Sequence, residues 1–295
     1  MKQSNGYGSV MTAELLESVE ARLYVDFFDA VPPELASREG LGLHRYGGAF
    51  YLTASGHDHP MLNRVMGVGL GDGSATEAAV AVLDRAAEHY GEAGVRRWMI
   101  QLLPHVESEA FRVAAGERGV IQLRGWAKHL APAHVDIPSQ TDLRIVKIDR
   151  HLAAAKRESL TEAWARIVGE SFGLPQAFAP WLRGLADRMG WHLYLAMDGD
   201  TPVATGAFFL SAVGGEHFAE LTFASTRPDF RGRGAQSALI ARRVADARAL
   251  GARWIASETD EELPDKPNPS YRNLVRLGFP VVYVRANWGP PKPER

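Results

Sequence analysis

Residues 226–240 read TRPDFRGRGAQSALI, and this segment is the most informative part of the chain. The letters RGRG stand at 231–234, between a predicted strand that ends at Thr226 and a predicted helix that begins near Ala235. A helix leaves its first N–H groups without intrahelical partners, and its dipole adds partial positive charge there. Glycine lets a ligand approach the backbone, and arginine adds charge-assisted hydrogen bonds. The segment therefore predicts that residues 231–237 bind a pyrophosphate-like anion.

Other kinds of segment share parts of this pattern. An Arg-Gly-Arg-Gly turn is also typical of a solvated basic loop. The segment is not a Walker loop, because no Gly-Lys-Ser or Gly-Lys-Thr follows, and it does not fit the dinucleotide pattern G-x-G-x-x-G. An RNA-binding RGG tract would be repetitive and disordered, whereas this turn stands between a strand and a helix.

The composition excludes several classes of protein. The 295 residues carry a formal net charge of −2, so no global field attracts the chain to nucleic acid or a membrane surface. The absence of cysteine excludes disulfides, thiolate metal sites and a cysteine nucleophile. The first residues lack the apolar core of a signal peptide, and no apolar run approaches the roughly 18 residues of a membrane span. His57 and His59 could ligate a metal as a pair, but no third ligand joins them, so we expect no metal site. The composition fits a soluble intracellular enzyme best, and we expect a cytoplasmic one.

Residues 128–142 contain two prolines and no helical or strand period, which predicts a linker. We therefore expect two domains, residues 1–135 and 143–295. The second alternates strands and helices. Its predicted elements are a strand at 143–148, helices at 153–172 and 177–189, a hairpin at 191–210, a strand at 217–226, a helix at 235–250, a strand at 253–259, a helix opening at Asn268 and a strand at 281–286.

The first half repeats this order weakly. Strand-like segments at 50–54 and 63–70 precede a Gly-rich turn at 69–78 and a helix. A strand, a helix and a further strand follow. Only the pattern repeats, not the residue identities, which indicates a weak internal repeat of about 140 residues.

Three separated segments resemble the GNAT N-acetyltransferase superfamily. Residues 226–240 are similar to its motif A, V-x-P-x-[YF]-R-G-[RKQ]-G-[IL]-G-x-x-L. The matching residues are Pro228, Phe230, Arg231, Gly232, Gly234 and Leu239. HFAELTF at 217–223 resembles the fourth strand of the histone acetyltransferase branch, and NPSYRNLVRLGF at 268–279 resembles motif B. The resemblance covers about half of the chain, and the set is more specific than motif A alone.

The resemblance implies an α+β fold. We expect two tandem GNAT folds, each a mixed, mostly antiparallel sheet with splayed fourth and fifth strands and flanking helices. The first would be a degenerate copy, because its turn at 69–78 has no arginine and Asp72 would repel phosphate. We predict that this half does not bind CoA well and is structural or forms one wall of the acceptor site.

The resemblance also implies that acetyl-CoA is the co-substrate. In the family, motif A binds the pyrophosphate, the fourth strand binds pantetheine, and the motif B helix adds contacts. The positions carried over are Phe223, Ala224, Ser225, Thr226, Arg231, Gly232, Arg233, Gly234, Ala235, Gln236, Ser237, Asn268 and Tyr271. Gln236 departs from the pattern, because the family usually has Gly or Ala there. It either points away from the phosphates, donates to one of them, or fills the groove.

Glu220 is the predicted catalytic base, as the carboxylate of the Phe-Ala-Glu step in an otherwise apolar strand. A solvated strand glutamate is the alternative. Many relatives carry a tyrosine acid at the position of Leu274. Tyr271, three residues earlier, is the predicted acid, although it could simply pack, and a water molecule could replace it.

The acceptor predicted by this resemblance is a small-molecule amine or a peptide amine. We expect the protein to have no nucleic acid or membrane partner, and a homodimer is possible. Glu258 and Thr259 end a strand where an acceptor could enter, and the acidic residues 260–262 could attract a cation or be merely solvated. Two alternatives stay open: a non-catalytic CoA-binding regulatory or interaction module, and a transferase for a longer acyl-CoA.

Overall fold

The computed structural model describes residues 9–70 and 75–292. The helices are α1 (Ser9–Asp29), α2 (Pro33–Glu39), α3 (Ala75–Glu92), α4 (Glu109–Glu117), α5 (Ala154–Phe172), α6 (Ala179–Gly184), α7 (Ala235–Ala249) and α8 (Pro269–Arg276). The strands are β1 (Leu41–Tyr46), β2 (Ala49–Ala54), β3 (Arg64–Val68), β4 (Met99–Leu102), β5 (Ile121–Pro132), β6 (Arg144–Lys147), β7 (Trp191–Asp198), β8 (Thr201–Val213), β9 (Glu216–Thr226), β10 (Trp254–Asp260) and β11 (Val281–Gly289). This mixture of helices and strands confirms the predicted α+β class.

The chain forms two compact units that alternate along the sequence. Unit 1 contains the chain up to Lys128, then Thr259–Pro267 and the residues after Val281. Unit 2 contains His129–Glu258 and Asn268–Val281. These units differ from the predicted consecutive domains, 1–135 and 143–295, because strand β11 near the end of the chain belongs to unit 1. The predicted linker at 128–142 also overlaps strand β5, which runs on to Pro132 before the irregular segment begins.

Unit 1 is built on strands in the order β1-β2-β3-β4-β11-β5. The pairs β1–β2, β2–β3 and β4–β11 are antiparallel, while β3 and β4 run parallel. Helices α3 and α4 cover one face through residues such as Leu83 and Phe111, which share a core with Ile100 and Trp288.

Unit 1 also buries a group of charged side chains, here called the buried ion cluster. It consists of Glu17 and Glu20 from α1, Arg64 from β3, Lys128 from β5 and Arg285 from β11. Two carboxylates thus face three cationic groups inside the unit. The last strand of the chain therefore supplies both a partner for β4 and one of the charges that balance α1.

Glu20 is the centre of this cluster. Its carboxylate accepts hydrogen bonds from Lys128 Nζ at 2.5 Å and from Arg285, and Arg64 Nη1 lies 3.7 Å away. The Arg64 guanidinium also stacks over the Tyr24 ring at 3.7 Å. Burial alone would raise the pKa of Glu20, but the charges of the three cations outweigh it and lower the pKa. Removing one member would leave an uncompensated charge inside the unit, which would destabilise the fold.

Unit 2 is built on strands in the order β10-β9-β8-β7-β6. Neighbouring strands from β6 to β9 are antiparallel, and β9 and β10 are parallel. The face covered by α7 and α8 has a core that includes Leu221, Leu239, Ile255 and Leu274. Asn268 caps α8 and Pro269 occupies its first turn, as the sequence predicted.

The structure adds elements that the sequence patterns missed and divides one that they predicted. Helices α1 and α2 and strand β1 were not predicted. The predicted helix at 177–189 is instead the short α6 between single 3₁₀ turns at Gln176–Phe178 and Leu185–Asp187. Pro180 explains part of this, because proline starts a helix more readily than it continues one. Residues 71–74 of the predicted turn at 69–78, Asp72 among them, lie outside the described residues.

Over the two described ranges, every helix is too short or too polar to cross a membrane.

Candidate functional site: a strand gap beside a helix start

Strands β9 and β10 pair in parallel and then part. Their paired residues run from Phe218 and Trp254 to Leu221 and Ser257, where Ser257 Oγ donates to the Leu221 carbonyl oxygen at 3.2 Å. Strand β9 continues to Thr226 on β8 alone, since no described residue of β10 pairs with it beyond Leu221. An unpaired strand edge offers main-chain N–H and C=O groups to an extended ligand. The predicted splay of these strands is present.

A β-bulge lies in the part of β9 that borders the gap left where β9 and β10 part. Between Thr205 and Ala207, strand β8 contributes one residue, Gly206, whereas β9 contributes two, Phe223 and Ala224. Phe223 has φ of +50° and is the only non-glycine residue among those described with positive φ. A bulky side chain rarely adopts this conformation, so the surroundings must fix it.

Aromatic packing provides part of that constraint. The Phe223 ring lies edge-on to Trp164 and Phe172 of α5, with centroid distances of 5.5 and 6.0 Å. It also lies 5.9 Å from the Trp191 ring of β7. The bulge is thus held from the face of the sheet that α5 covers.

The turn after β9 has the backbone form that its glycines predicted. Gly232 and Gly234 have φ of +80° and +76°. A Cβ atom at Gly234 would also lie 2.2 Å from the Gln140 carbonyl oxygen, so this position excludes side chains on two grounds. Gly234 is the N-cap residue of α7, and no described side chain caps the helix. Its first N–H groups therefore form the donor set that an anion requires.

The two arginines of this turn have different surroundings. Arg233 donates to Asp198 Oδ2 at 2.9 Å and to Asp142, so its guanidinium is already paired with two carboxylates. Arg231 is exposed, and its Nε lies 3.4 Å from the Thr226 carbonyl oxygen. Arg231 is thus the better placed of the two predicted phosphate-binding side chains, while Arg233 fixes the turn.

The pairing of Arg233 predicts a pH-dependent contribution to stability. Its hydrogen bonds lower the pKa of Asp198 and of Asp142. A lowered carboxyl pKa stabilises the fold above the unfolded-state value of about 3.9, and this stabilisation disappears as the pH falls through the folded-state value. We expect Asp198→Asn to lower Tm by no more than about 3 °C at pH 7, because the pair is exposed. In thermal scans the difference should shrink on acidification, and Asp200→Asn in the same hairpin turn serves as the control. A difference that grows at low pH would contradict this assignment.

Gln236, the departure from the family pattern, points back to the sheet. Its Nε2 donates to the Ser225 carbonyl oxygen at 2.8 Å, to Thr226 Oγ1 at 3.0 Å and to the Thr205 carbonyl oxygen at 3.3 Å. The side chain thus fastens the first turn of α7 to the ends of β8 and β9. Its amide nitrogen is taken up by acceptors on the strands, and of the three orientations considered this agrees with a side chain that does not bind a phosphate.

Side chains of α8 and α7 form a polar group near the same helix start. Asn273 Oδ1 accepts from Arg276 Nη2 at 2.6 Å, and Arg276 Nη2 also donates to Ser237 Oγ at 3.1 Å. Ser237 is one of the predicted donor-binding residues. This places a second exposed arginine, Arg276, beside the first turn of α7.

Asn268 and Tyr271 have structural partners. Asn268 Oδ1 accepts from the backbone N–H groups of Ser270 and Tyr271, at 3.0 and 3.3 Å. The half-buried Tyr271 ring lies edge-on to His129 at 5.3 Å, and His129 Nδ1 is 3.0 Å from the Phe279 carbonyl oxygen. Packing therefore accounts for Tyr271 at least as well as an acid role does.

Glu220 lies one residue before the strands part. It is opposite Phe209 of β8 and Ala256 of β10 and is only 3% exposed. Its neighbours Ala219 and Leu221 belong to the core below α7, so strand alternation directs Glu220 to the other face, where α5 lies. Helix α8, which carries Tyr271, packs on the α7 face. The two predicted catalytic residues thus approach the sheet from opposite faces.

The acidic segment after β10 is held in place rather than free. Arg124 donates to Asp260 Oδ2 at 3.0 Å, to the Glu261 carbonyl oxygen at 2.7 Å and to the Lys266 carbonyl oxygen at 3.0 Å. Glu261 Oε1 accepts from the Gly125 N–H at 2.7 Å. These contacts neutralise part of the negative charge of a segment for which the sequence left two interpretations open, attraction of a cation and simple solvation.

Arg243, a buried residue beside the site, was not predicted from the sequence. A signal existed, because a helical period places Arg243 on the same face as the apolar Leu239 and Ala247, where a charge is unexpected.

Comparison with known proteins agrees with this geometry. Residues 157–279 match the family model described as the acetyltransferase (GNAT) family. No curated protein matches the sequence. A GCN5-related N-acetyltransferase from Kribbella flavida is similar in structure, with a TM-score of 0.60 and 17% identity over 95% of this chain and 96% of that chain.

Two further solved structures are similar over most of the chain. A tandem GNAT protein from the clavulanic acid biosynthesis pathway has a TM-score of 0.54 and 12% identity, covering 85% of this chain and 82% of that one. A GCN5-related N-acetyltransferase from Sphaerobacter thermophilus has a TM-score of 0.53 and 17% identity, covering 88% and 84%. At these identities the similarity concerns the fold, and it confirms the predicted tandem arrangement.

Proposed function

We propose that residues 157–279, which match the acetyltransferase (GNAT) family model, form a domain of that family, and that the protein transfers an acetyl group from acetyl-CoA to a primary amine. The amine would belong to a small molecule or a peptide and would attack the thioester directly in a ternary complex.

One observation carries the proposal: the unpaired edge of β9 is followed, after the short connection at 227–234, by the uncapped start of α7. CoA has a matching form, since its pantetheine arm carries amides along an extended chain and ends at a pyrophosphate. The arm would pair with β9 in the gap, and the pyrophosphate would meet Gly232, Gly234 and the first N–H groups of α7. Arg231 and Arg276 would add positive charge.

The proposed reaction needs no enzyme nucleophile. The amine nitrogen forms a bond to the acetyl carbon, the carbon–sulfur bond breaks, and the CoA thiolate takes up a proton. An alkylammonium with a pKa near about 10.4 must first lose a proton, which Glu220 would accept directly or through water. Main-chain N–H groups of β9 would stabilise the oxyanion. Tyr271 or a water molecule would protonate the thiolate.

Among the residues that the structure describes, only unit 2 has the strand gap proposed to bind the donor. In unit 1, the equivalent parallel strands β3 and β4 pair from Arg64 and Met99 up to Val68 and Leu102, at the ends of both strands. They do not part within their described length. Arg64 and the buried ion cluster also fill the face of β3 that lies under α1. We therefore propose one donor site per chain.

Calorimetric titration with acetyl-CoA tests the donor site. We expect Arg231→Ala to raise Kd by roughly tenfold or more, because a charge-assisted contact to phosphate is lost. Arg233→Ala is the matched comparison in the same turn, and it should raise Kd less, because its side chain is already paired with Asp142 and Asp198. Unchanged affinity in both single variants and in the double variant would rule out the pyrophosphate assignment.

Two outcomes would redirect the proposal. Tight acetyl-CoA binding with no acetylation of a broad amine panel would support a non-catalytic CoA-binding module. A larger thermal shift with propionyl-CoA or a longer thioester than with acetyl-CoA would support a longer acyl donor.

A further inference from the structure

Arg243 is a buried cation in the middle of α7. It is 1% exposed, and all the partners of its guanidinium are main-chain carbonyls. Nε donates to the Leu239 oxygen at 3.1 Å, and Nη1 donates to the Ala207 oxygen at 2.9 Å and the Thr222 oxygen at 3.3 Å. One side chain thus links α7, the helix that follows the turn at 231–234, to two neighbouring strands.

The two carbonyls bonded by Nη1 mark the start of the bulge. Ala207 and Thr222 are the last regular pair of β8 and β9 before the register shifts, and Phe223 with its positive φ follows. Arg243 therefore spans the pair at which the ladder becomes irregular. A bulge leaves main-chain groups out of register, so a multi-donor side chain is well suited to satisfy them.

Gly206, the residue of β8 opposite the bulge, leaves space for the Arg243 guanidinium. A Cβ atom on Gly206 would lie 2.9 Å from Arg243 Cζ, so a side chain at 206 would displace the guanidinium from this position. The Gly206 carbonyl oxygen accepts from Trp164 Nε1 at 3.3 Å. Arg243 from α7 and Trp164 from α5 thus hold the bulge from the two faces of the sheet.

Stability alone is a poor reason for a cation at this place. Burial lowers the pKa of Arg243 to about 10, and none of its hydrogen-bond partners is a carboxylate. The group stays charged at neutral pH. Buried charges are costly compared with apolar side chains of similar volume. A charged side chain retained in an otherwise apolar helix face suggests that the geometry it imposes is used.

We propose that Arg243 is a positioning residue that fixes the β9 bulge in the form required to bind the acyl-pantetheine part of the donor. This inference rests on the proposed function. Arg243 sets the direction of the β9 main chain at 223–225, which borders the gap between β9 and β10, and it does not hydrogen-bond to the turn at 231–234. It therefore affects the acyl end of the donor and not the nucleotide end.

Two ligands distinguish an effect on binding of the acyl end of the donor from an effect on binding of its nucleotide end. Adenosine 3′,5′-bisphosphate carries the adenosine, the 3′-phosphate and one of the two pyrophosphate phosphates of CoA but has no pantetheine, whereas acetyl-CoA carries all of these. For Arg243→Met we expect the Kd for acetyl-CoA to rise roughly ten- to hundredfold and the Kd for the bisphosphate to change less than about threefold. Arg243→Lys, which keeps the charge, should recover part of the loss. Arg242→Met, the exposed neighbour paired with Asp246, is the matched control and should leave both constants unchanged.

A second comparison tests the role of the space at Gly206. In the wild-type background Gly206→Ala should weaken acetyl-CoA binding, because the new Cβ displaces the guanidinium. In the Arg243→Met background the same change should add little, so the two effects are not additive. Additive effects would overturn the proposal.

The remaining outcomes are also decisive. Equal loss of both ligands in Arg243→Met and Arg243→Lys would show a general structural role and overturn the proposal, as would unchanged acetyl-CoA affinity in both. A wild-type protein that binds neither ligand would reject the proposed function, and the positioning role with it. If the methionine variant does not fold, the lysine variant supplies the same ratio of affinities.

Discussion

Replacing Glu220 by glutamine should lower the acetylation rate by roughly 100- to 10,000-fold while leaving acetyl-CoA affinity within about threefold of wild type. Glutamine preserves the shape of the side chain but cannot accept a proton. Glu220 lies beside the point where β9 and β10 part, so the change acts where the amine would attack. Initial rates on an amine panel, with calorimetry for the donor, measure the two quantities separately.

Glu216→Gln is the control for this experiment. Glu216 begins the same strand, and its carboxylate accepts from Arg253 Nη1 at 2.6 Å, away from the gap. This variant should keep the wild-type rate. If Glu220→Gln kept full activity across the pH range, the base would have to be another group or water, and Glu220 would be a buried structural carboxylate.

Replacing Glu20 by glutamine should destabilise the protein by about 3–5 kcal/mol, the usual cost of breaking a buried ion pair. The change leaves Arg64, Lys128 and Arg285 with Glu17 as the only carboxylate in the cluster. The lowered pKa of Glu20 means that its contribution is complete above the unfolded-state value and is lost only as the pH falls through the folded-state value. Chemical denaturation should therefore give the same large difference across pH 5 to 8.

Glu14→Gln is the matched control on the same helix. Its side chain is 45% exposed and lies 3.7 Å from His105, so we expect a change below about 0.5 kcal/mol. Similar effects of the two variants would contradict the role assigned to the buried ion cluster.

Local sequence signals predicted the parts of the site that depend on backbone form. Glycines at 232 and 234 after a strand, and Asn268 followed by proline, carry their conformational meaning in the sequence. The same holds for most elements of unit 2. These signals are local, so no knowledge of distant contacts was required.

Predictions failed or stayed incomplete where distant partners decide the outcome. Arg233 resembles a phosphate ligand in the sequence, but Asp142 and Asp198 come from elsewhere in unit 2 and pair with it. Gln236 gave no indication of its direction, because its acceptors lie on β8 and β9. Helix α1 was missed in part because its apolar pattern is interrupted by Glu17 and Glu20, whose partners follow more than 40 residues later. The catalytic roles of Glu220 and Tyr271 remain predictions.

The place of strand β11 in the chain sets the order in which the two units can complete their folding during synthesis. A ribosome has made every residue of unit 2 once Val281 is added, whereas unit 1 still lacks β11. Until then β4 has a free edge, and Glu17 and Glu20 lack the guanidinium of Arg285. The half that is translated first is therefore completed last. During that interval its open strand edge is a place where a chaperone or a second nascent chain could pair.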